Sequence, residues 1–519
     1  MTLRAWIFLF LVIELSTKAQ NFRVRHTIPQ TSNASAREIF ETNQNSYIGF
    51  GFAIDTSNGS AINKLTVVGI DSVGNKKWEK RYGGYLPEFR NNGFTQRCMI
   101  KHQGSLYYVG CMQDTVRQIG VLVRLNYNGD TLWTKKYRSS DPQEDVVPQM
   151  ITSSVDGGYL ITGFFQDWGG GGRPCLLIKT DANGNELWRR KINKAAPNVL
   201  DGKAIIQDSA TGKIVIGGYQ YKNGNSIYDS FIITDSLGNN PVQKSLTGFG
   251  GWITDLIQTY DKKIVAVGWL YTIVTLGGQP TMQPFAVKFD VNSPASAIWK
   301  INGFGINGLT NGFTGIVELP SHDLLICGIL DTIEGNADRP NSQLPGNIFV
   351  RFTQVDQNGI VKANKLYNYK NNDSAVQYYQ GMRSFHLCQD GGWVGAIDLA
   401  NYGINPFMFV RFDSTGCDTS SAFCQAQWSV DIPQISEEKF NYKVFPNPTV
   451  FGFTLWRENT DISNIELYDV VGNKTLTKEL ASTQNSSFIS TASLHPGMYV
   501  LTVTQNDIIV FRTKIIKEN

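Results

Sequence analysis

Val155-Asp156-Gly157-Gly158-Tyr159-Leu160-Ile161-Thr162-Gly163, followed closely by Leu176-Leu177-Ile178-Lys179-Thr180-Asp181-Ala182-Asn183-Gly184-Asn185-Glu186-Leu187-Trp188, decides the fold. A turn opens onto a short apolar run. A second run ends in Asp-x-Asn-Gly, and a third begins near a Trp. Runs this short, bounded by Gly, Asn and Asp, read as strands. Asn-Gly suits a hairpin turn because both residues tolerate positive φ.

The same element recurs along the chain. It stands at Asp71-Ser72-Val73-Gly74 with Trp78, at Asn126 with Trp133 and at Asp181 with Trp188. Weaker copies begin at Asp235, Asp290, Asp356 and Asp413, and the one at Asp290 has lost its Gly. The steps are 55, 55, 54, 55, 66 and 57 residues. Each unit reads as four strands; in the fourth they fall near 202–208, 213–219, 229–235 and 240–246. Four-stranded units at this period indicate a β-propeller, here of seven blades. The last unit has three strands and no fourth after Gly416, while Phe22-Arg23-Val24-Arg25-His26 is a spare strand in phase with Trp78-Glu79-Lys80-Arg81-Tyr82. The N-terminal strand is therefore expected to close the seventh blade, with 21–28 antiparallel to 406–413.

Composition agrees. Of 519 residues, 50 are Gly; 12% are aromatic and only 18% charged. That balance suits short strands and tight turns, and argues against coiled coil or disorder. A net charge of +3 excludes a nucleic-acid partner held by bulk charge. Arg4, the apolar run Ala5 to Ile13, and the small residues Thr17 and Ala19 read as a signal peptide over 1–19. No other segment is long and apolar enough to form a transmembrane span.

The quoted run resembles the secreted propeller repeats of Bacteroidota surface proteins, over roughly 30–416. After the ring (20–416) and a linker (417–439), residues 440–519 read as short alternating strands, a small Ig-like β-sandwich. Three motifs lie in it: Val444-Phe445-Pro446-Asn447-Pro448, then Asp469-Val470-Val471-Gly472-Asn473, then His495-Pro496-Gly497-Met498-Tyr499. Their order and position are similar to the C-terminal sorting domain of the type IX secretion system. The resemblance points to Pro446, Asn447, Pro448, Gly472, Gly497 and Tyr499 as sorting-motif residues. It implies the type IX machinery as partner, passage through the periplasm, and release or attachment at the outer surface.

Local catalytic signatures are lacking. The five histidines show no zinc-ligand spacing, and there is no Gly-x-Ser-x-Gly elbow. Asp181-Ala182-Asn183-Gly184-Asn185 has its Gly at the wrong place for a calcium loop and reads as a turn. Neither a metal nor a cofactor is expected. Cys98, Cys111, Cys175, Cys327 and Cys388 fall on strands and read as buried thiols, whereas Cys417 and Cys424 lie beyond the last strand and are expected to form a disulfide.

The long segments 82–93, 137–147, 166–174, 271–283, 331–346 and 368–380 all join the second strand to the third, or one unit to the next. They emerge on one face, which is the expected binding face. Its ligand-binding candidates are Trp168, Arg173, Tyr221, Tyr271, Tyr378, Tyr379 and Tyr402. The leading reading is a non-catalytic binder of a glycan or surface macromolecule. The alternative is a secreted enzyme (hydrolase, lyase or quinoprotein-like) on the same face. Gly-Asn-Glu-Leu-Trp resembles quinoprotein repeats, but the chain lacks the vicinal Cys pair many of those enzymes carry.

Overall fold

A computed structural model describes residues 21–418 and 442–518, apart from 43–45, 58, 60, 84–87, 91–96, 115–116, 169–172, 193–198, 223–225, 245–249, 277–278, 295, 303–310, 332–347, 368, 370–378, 401–405, 458–462, 470–473, 481–484 and 506–507. The expected leader 1–19 and most of the expected linker lie outside the described residues.

All regular structure among the described residues is strand. From Phe22 to Phe412 the strands form seven antiparallel sheets, I to VII in chain order. Sheet III is representative: Glu144–Ser153, Tyr159–Asp167, Cys175–Thr180 and Glu186–Ile192, paired in that order. Its two middle strands are apolar on both faces because neighbouring sheets cover both sides. Leu160 packs with Ile216 and Phe231 of sheet IV, and Ile161 with Tyr107 and Leu122 of sheet II. The outermost strand alternates or is polar, as Trp188-Arg189-Arg190-Lys191 illustrates. Arg189 pairs with Glu186, and Lys191 with Glu144 at 2.6 Å. Successive sheets touch throughout, and sheet I also touches sheet VII. This is a β-propeller fold.

Phe22–His26 pairs antiparallel with Phe407–Phe412, from Phe22 opposite Arg411 to His26 opposite Phe407. The first strand thus completes sheet VII, as its phase implied. Arg411 is fully buried here; it bonds the Tyr47 hydroxyl (2.9 Å), Asn21 Oδ1 (3.1 Å) and the Asp390 carboxylate.

The recurring Asp-x-x-Gly element turns the third strand of a sheet into the fourth, and its turn differs from the expected one. Only the Gly takes positive φ: 78° at Gly129, 75° at Gly184 and 85° at Gly359. The leading Asp or Asn does the rest. Asp181 Oδ1 accepts the amides of Asn183 (2.9 Å) and Asn185 (2.7 Å), and the same pattern recurs at Asp71, Asn126, Asp235, Asp356 and Asp413. Side-chain capping of the turn replaces the double left-handed geometry. The Gly also receives the Trp of the preceding sheet. A Cβ on Gly129, Gly184, Gly238 or Gly359 would meet Trp78, Trp133, Trp188 or Trp299, respectively, within 3 Å. Four residues after Trp78 and Trp133, the hydroxyls of Tyr82 and Tyr137 donate to the carbonyls of Gly129 and Gly184. Phe22 fills the Trp place against Gly74. At Asp290, where the Gly is lost, the preceding sheet offers Val242–Lys244 and no Trp.

The tail forms two further sheets around one core. Tyr442–Phe445, Gly452–Arg457 and Ser486–Ser490 make one; Ser463–Asp469, Lys474–Leu480, Gly497–Gln505 and Ile508–Lys517 make the other. Asn447 bonds the last strand twice, donating to Lys514 O (2.5 Å) and accepting from Ile516 N (2.9 Å). Gly497 and Tyr499 pair with Lys517 and Ile515 of the same strand. Pro446 and Pro448 are exposed, and Gly472 lies outside the described residues.

Candidate functional site

The first strands converge on the centre of the ring. Arg97 of sheet II reaches Asp255 of sheet V (2.9 Å) and the Ile316 carbonyl of sheet VI (2.6 Å). In six sheets the first strand carries a β-bulge at the same position, between Ala36 and Glu38, Pro148 and Met150, Gly202 and Ala204, Ile253 and Asp255, Phe313 and Gly315, and Met382 and Ser384. A bulge inserts one residue and re-aims its side chain. The inserted residues are Arg37, Gln149, Lys203, Thr254, Thr314 and Arg383. In sheet II, Arg97 takes the place with φ 52°.

The cations of this ring are matched by buried acids. Arg383 donates to Asp398 from two nitrogens (3.0 and 2.5 Å). Burial alone would raise the Asp398 carboxyl, but Arg383 and Arg37 hold it below the usual range. Asp255 is pushed up instead, because burial outweighs Arg97 and Glu38 adds a like charge. Glu38 in turn meets His386 at 2.7 Å.

A cavity of about 450 Å³ opens beside this ring, at the end where second strands finish and first strands begin. Four of the inserted residues line it: Gln149, Lys203, Thr254 and Arg383. Tyr219, Trp252 and Trp269 form one wall as a stack, with centroids 4.9 and 5.6 Å apart. Gly312 backs Trp269, whose Nε1 donates to Phe313 O at 2.8 Å. Asp201, 1% exposed, accepts the Tyr219 hydroxyl (3.0 Å) and pairs with Lys203 (3.3 Å).

Trp168 stands at the rim, 63% exposed, yet it is held in place. Its indole N–H donates to Asp145 Oδ2 (3.0 Å) and its amide to Gln143 O (3.1 Å). Arg173 lies over the Phe164 ring at 3.9 Å. Two sequence candidates, Trp168 and Arg173, therefore meet at this cavity. Tyr221 and Tyr379 sit at strand ends, opposite Val199 and Ala400, and Tyr271 lies inside the strand Ile264–Leu276, opposite Gly250. The segment 271–283, expected as a loop, is largely an extension of a hairpin: Tyr271 pairs with Met282, and Leu276 with Gln279. Its Tyr-Thr-Ile-Val-Thr run is β-branched enough to continue the ladder. Tyr378 and Tyr402 lie outside the described residues. Sequence reasoning missed Asp201, Tyr219, Trp252 and Trp269, which lie on strands.

The five cysteines expected on strands are all buried; Cys111, Cys175 and Cys327 lie on strands, whereas Cys98 and Cys388 stand just outside Met99–His102 and Tyr379–Leu387, and burial pushes Cys175, Cys327 and Cys388 up to about 12. Cys417 is buried with Lys365 Nζ 3.8 Å from its sulfur, and Cys424 lies outside the described residues. Among the described residues no helix is long and apolar enough to cross a membrane, and no three His, Cys, Asp or Glu side chains are grouped to hold a metal.

Residues 443–518 match the family described as the secretion system C-terminal sorting domain. This tail marks the chain for export and for secretion or attachment at the cell surface, and it is the part the type IX machinery handles. An ulvan lyase of Nonlabens ulvanivorans is 29% identical over 114 residues, 21% of each chain, so the match spans about a fifth of that relative. Among solved structures, the β-propeller domain of the Trilobed protease from Pyrococcus furiosus covers 76% of this chain and 99% of its own, at 10% identity and a TM-score of 0.40. Sqt1 from Chaetomium thermophilum covers 75% and 99%, at 10% and 0.37.

Proposed function

We propose that this is an exported seven-bladed β-propeller, residues 20–416, that binds a glycan on its long-loop face. A leader over 1–19, a linker over 417–439 and an Ig-like sorting sandwich over 440–519 complete the chain. The observation that carries the binding reading is Trp168. A large aromatic ring, mostly in solvent and fixed by two hydrogen bonds at the rim of a cavity, is a preorganised stacking platform.

The test is glycan-array screening of the mature chain, followed by calorimetry on the best ligand. Trp168→Ala is expected to weaken binding about thirtyfold, the effect of losing a hot-spot aromatic worth about 2 kcal/mol, with the melting temperature unchanged. His102→Ala, in a short turn of the other face, is expected to leave affinity intact. The reverse pattern would refute the reading. A second reading, an enzyme acting on a polysaccharide, is favoured by the hydrogen-bonded set Tyr219, Asp201 and Lys203, which could handle a proton. Shortening of the bound glycan during incubation, abolished by Tyr219→Phe, would select it.

A further inference from the structure

The smaller sheet of the tail has two apolar faces. From Tyr442–Phe445, Gly452–Arg457 and Ser486–Ser490, the side chains of Tyr442, Phe453, Leu455 and Ile489 enter the core. On the other face, Phe445 and Phe488 flank Thr454 in one cross-strand row, and Lys443 and Ser486 flank Trp456 in the next. The outer face of a sandwich is ordinarily polar. Here Phe445 and Phe488 are more than half exposed, and Phe451, in the loop that leads into the middle strand, is 75% exposed. Val450, beside Phe451, and Ile516, to which that loop is bonded, are the other exposed large apolar side chains among the described residues of the tail.

This patch is held rigid by the tail itself. Asn447 donates to Lys514 O (2.5 Å) and accepts from Ile516 N (2.9 Å). The Thr449 amide donates to Ile516 O (2.8 Å), and its carbonyl accepts Glu518 N (2.8 Å). Phe451 O accepts Thr491 N (3.0 Å). The Phe488 ring lies over Gly452, where a Cβ would meet it at 2.5 Å. The charge around the patch has one sign. Lys443 Nζ stands 5.5 Å from the centre of the Trp456 ring, and Lys478 donates to Phe488 O (2.8 Å). None of the three strands contains an Asp or Glu.

From this we infer that Phe445, Phe451, Trp456 and Phe488 form the surface by which the tail docks on the export machinery, against an apolar partner surface edged with acidic groups. The tail is the part of the chain that this machinery handles, and a contiguous exposed apolar patch on a folded domain marks an interaction site. Exposed aromatics at the centre and polar groups at the margin are the anatomy of a protein interface. Two lysines and no acid select an acidic edge opposite them. The Pro-Asn-Pro motif then acts one step behind the contact. Both polar atoms of the Asn447 side chain are engaged with the last strand, so Asn447 is a positioning residue that holds the Phe451 loop in place. None of this depends on what the ring binds.

The experiment follows the full chain in a bacterium that has the type IX machinery, by immunoblot of periplasm, cell surface and medium. Phe451→Ser combined with Phe488→Ser is expected to lower the exported share about tenfold, with intact chain held in the periplasm and its melting temperature unchanged. Val155→Ser combined with Leu187→Ser, which removes two exposed apolar side chains of the ring, is expected to leave export normal. Asn447→Ala is expected to lower export as well, but with faster hydrogen exchange at the Ile516 and Thr449 amides, which the Phe451 and Phe488 changes leave slow. A photo-crosslinking amino acid in place of Phe451 is expected to join the chain to a component of the export machinery. Normal export of the Phe451 and Phe488 double variant would overturn the inference. So would crosslinks from position 451 that reach only this chain's own ring or a second copy of it.

Discussion

Gly184→Ala tests the contact that joins one blade to the next. Gly184 holds φ 75°, and a Cβ there would lie 2.6 Å from Cη2 of Trp133. Gly157 holds φ 86° in a comparable turn, and nothing lies within 4 Å of its Cβ position. Both substitutions place an L-residue in the left-handed region, at about 1–2 kcal/mol. Only Gly184→Ala also displaces a half-buried indole, and overpacking of that kind adds about 1–3 kcal/mol. Gly157→Ala should therefore cost about 1–2 kcal/mol, and Gly184→Ala roughly twice as much. In a Trp133→Ala background the extra cost should vanish, leaving the backbone share alone. Guanidinium unfolding of the four proteins, followed by tryptophan fluorescence and by circular dichroism, gives the cycle. Equal losses at the two glycines, or an undiminished loss at Gly184 without Trp133, would refute the account of the repeat as a Trp-on-Gly joint.

Deleting residues 21–26 should destabilise the ring by at least about 3 kcal/mol, since Phe22 alone is 5% exposed and packs edge-on to Tyr47 at 5.2 Å; an unchanged melting temperature would sink the closure, and a synthetic peptide of residues 21–28 should restore stability. Acid should erode the turns in a defined window. In Asp71, burial pulls the carboxyl upward, but Lys77 and the Asn75 and Val73 amides prevail and hold it at about 2, below its ordinary 3.8. A depressed folded value contributes stability that is present above 3.8 and lost as pH falls through about 2. Asp71→Asn, which copies Asn126 of the second unit, should flatten the fall of melting temperature across that window, and an identical pH profile would argue against it.

Much of the architecture was legible because the same residues do two jobs. The Asp caps its own turn, and the Gly both bends the chain and receives a neighbour's Trp, so the pair persists where side chains between them vary. The turn type is not legible in Asn-Gly alone, because that pair tolerates two positive φ angles, whereas the Asp four residues before the turn's end bonds the amides and leaves only Gly left-handed. The site was half legible. Trp168 and Arg173 stand on a connection long enough to attract notice. Asp201, Tyr219 and Trp252 sit on strands, where an aromatic or apolar neighbour reads as core. Asp201 and Trp252 stand just before the bulge of their first strands, a one-residue slip shared by six sheets that reverses which side chains face the centre and leaves no mark in composition. Aligning the units on that slip would have gathered Gln149, Lys203, Thr254 and Arg383 into one column.

The closing strand also fixes an order of events. Asn21 and Arg411, bonded across the seam, are 390 residues apart in sequence. A chain emerging N-terminus first holds out Phe22–His26 with no mate until nearly the whole ring has appeared. Through that interval, the late-arriving Phe407–Phe412 edge accepts whichever copy of that strand reaches it first, its own or one from a neighbouring chain, since the register is identical. Local concentration during delivery thus decides between a self-contained ring and strand-exchanged pairs, and a chain handed out one at a time, with its tail still held, is spared the choice.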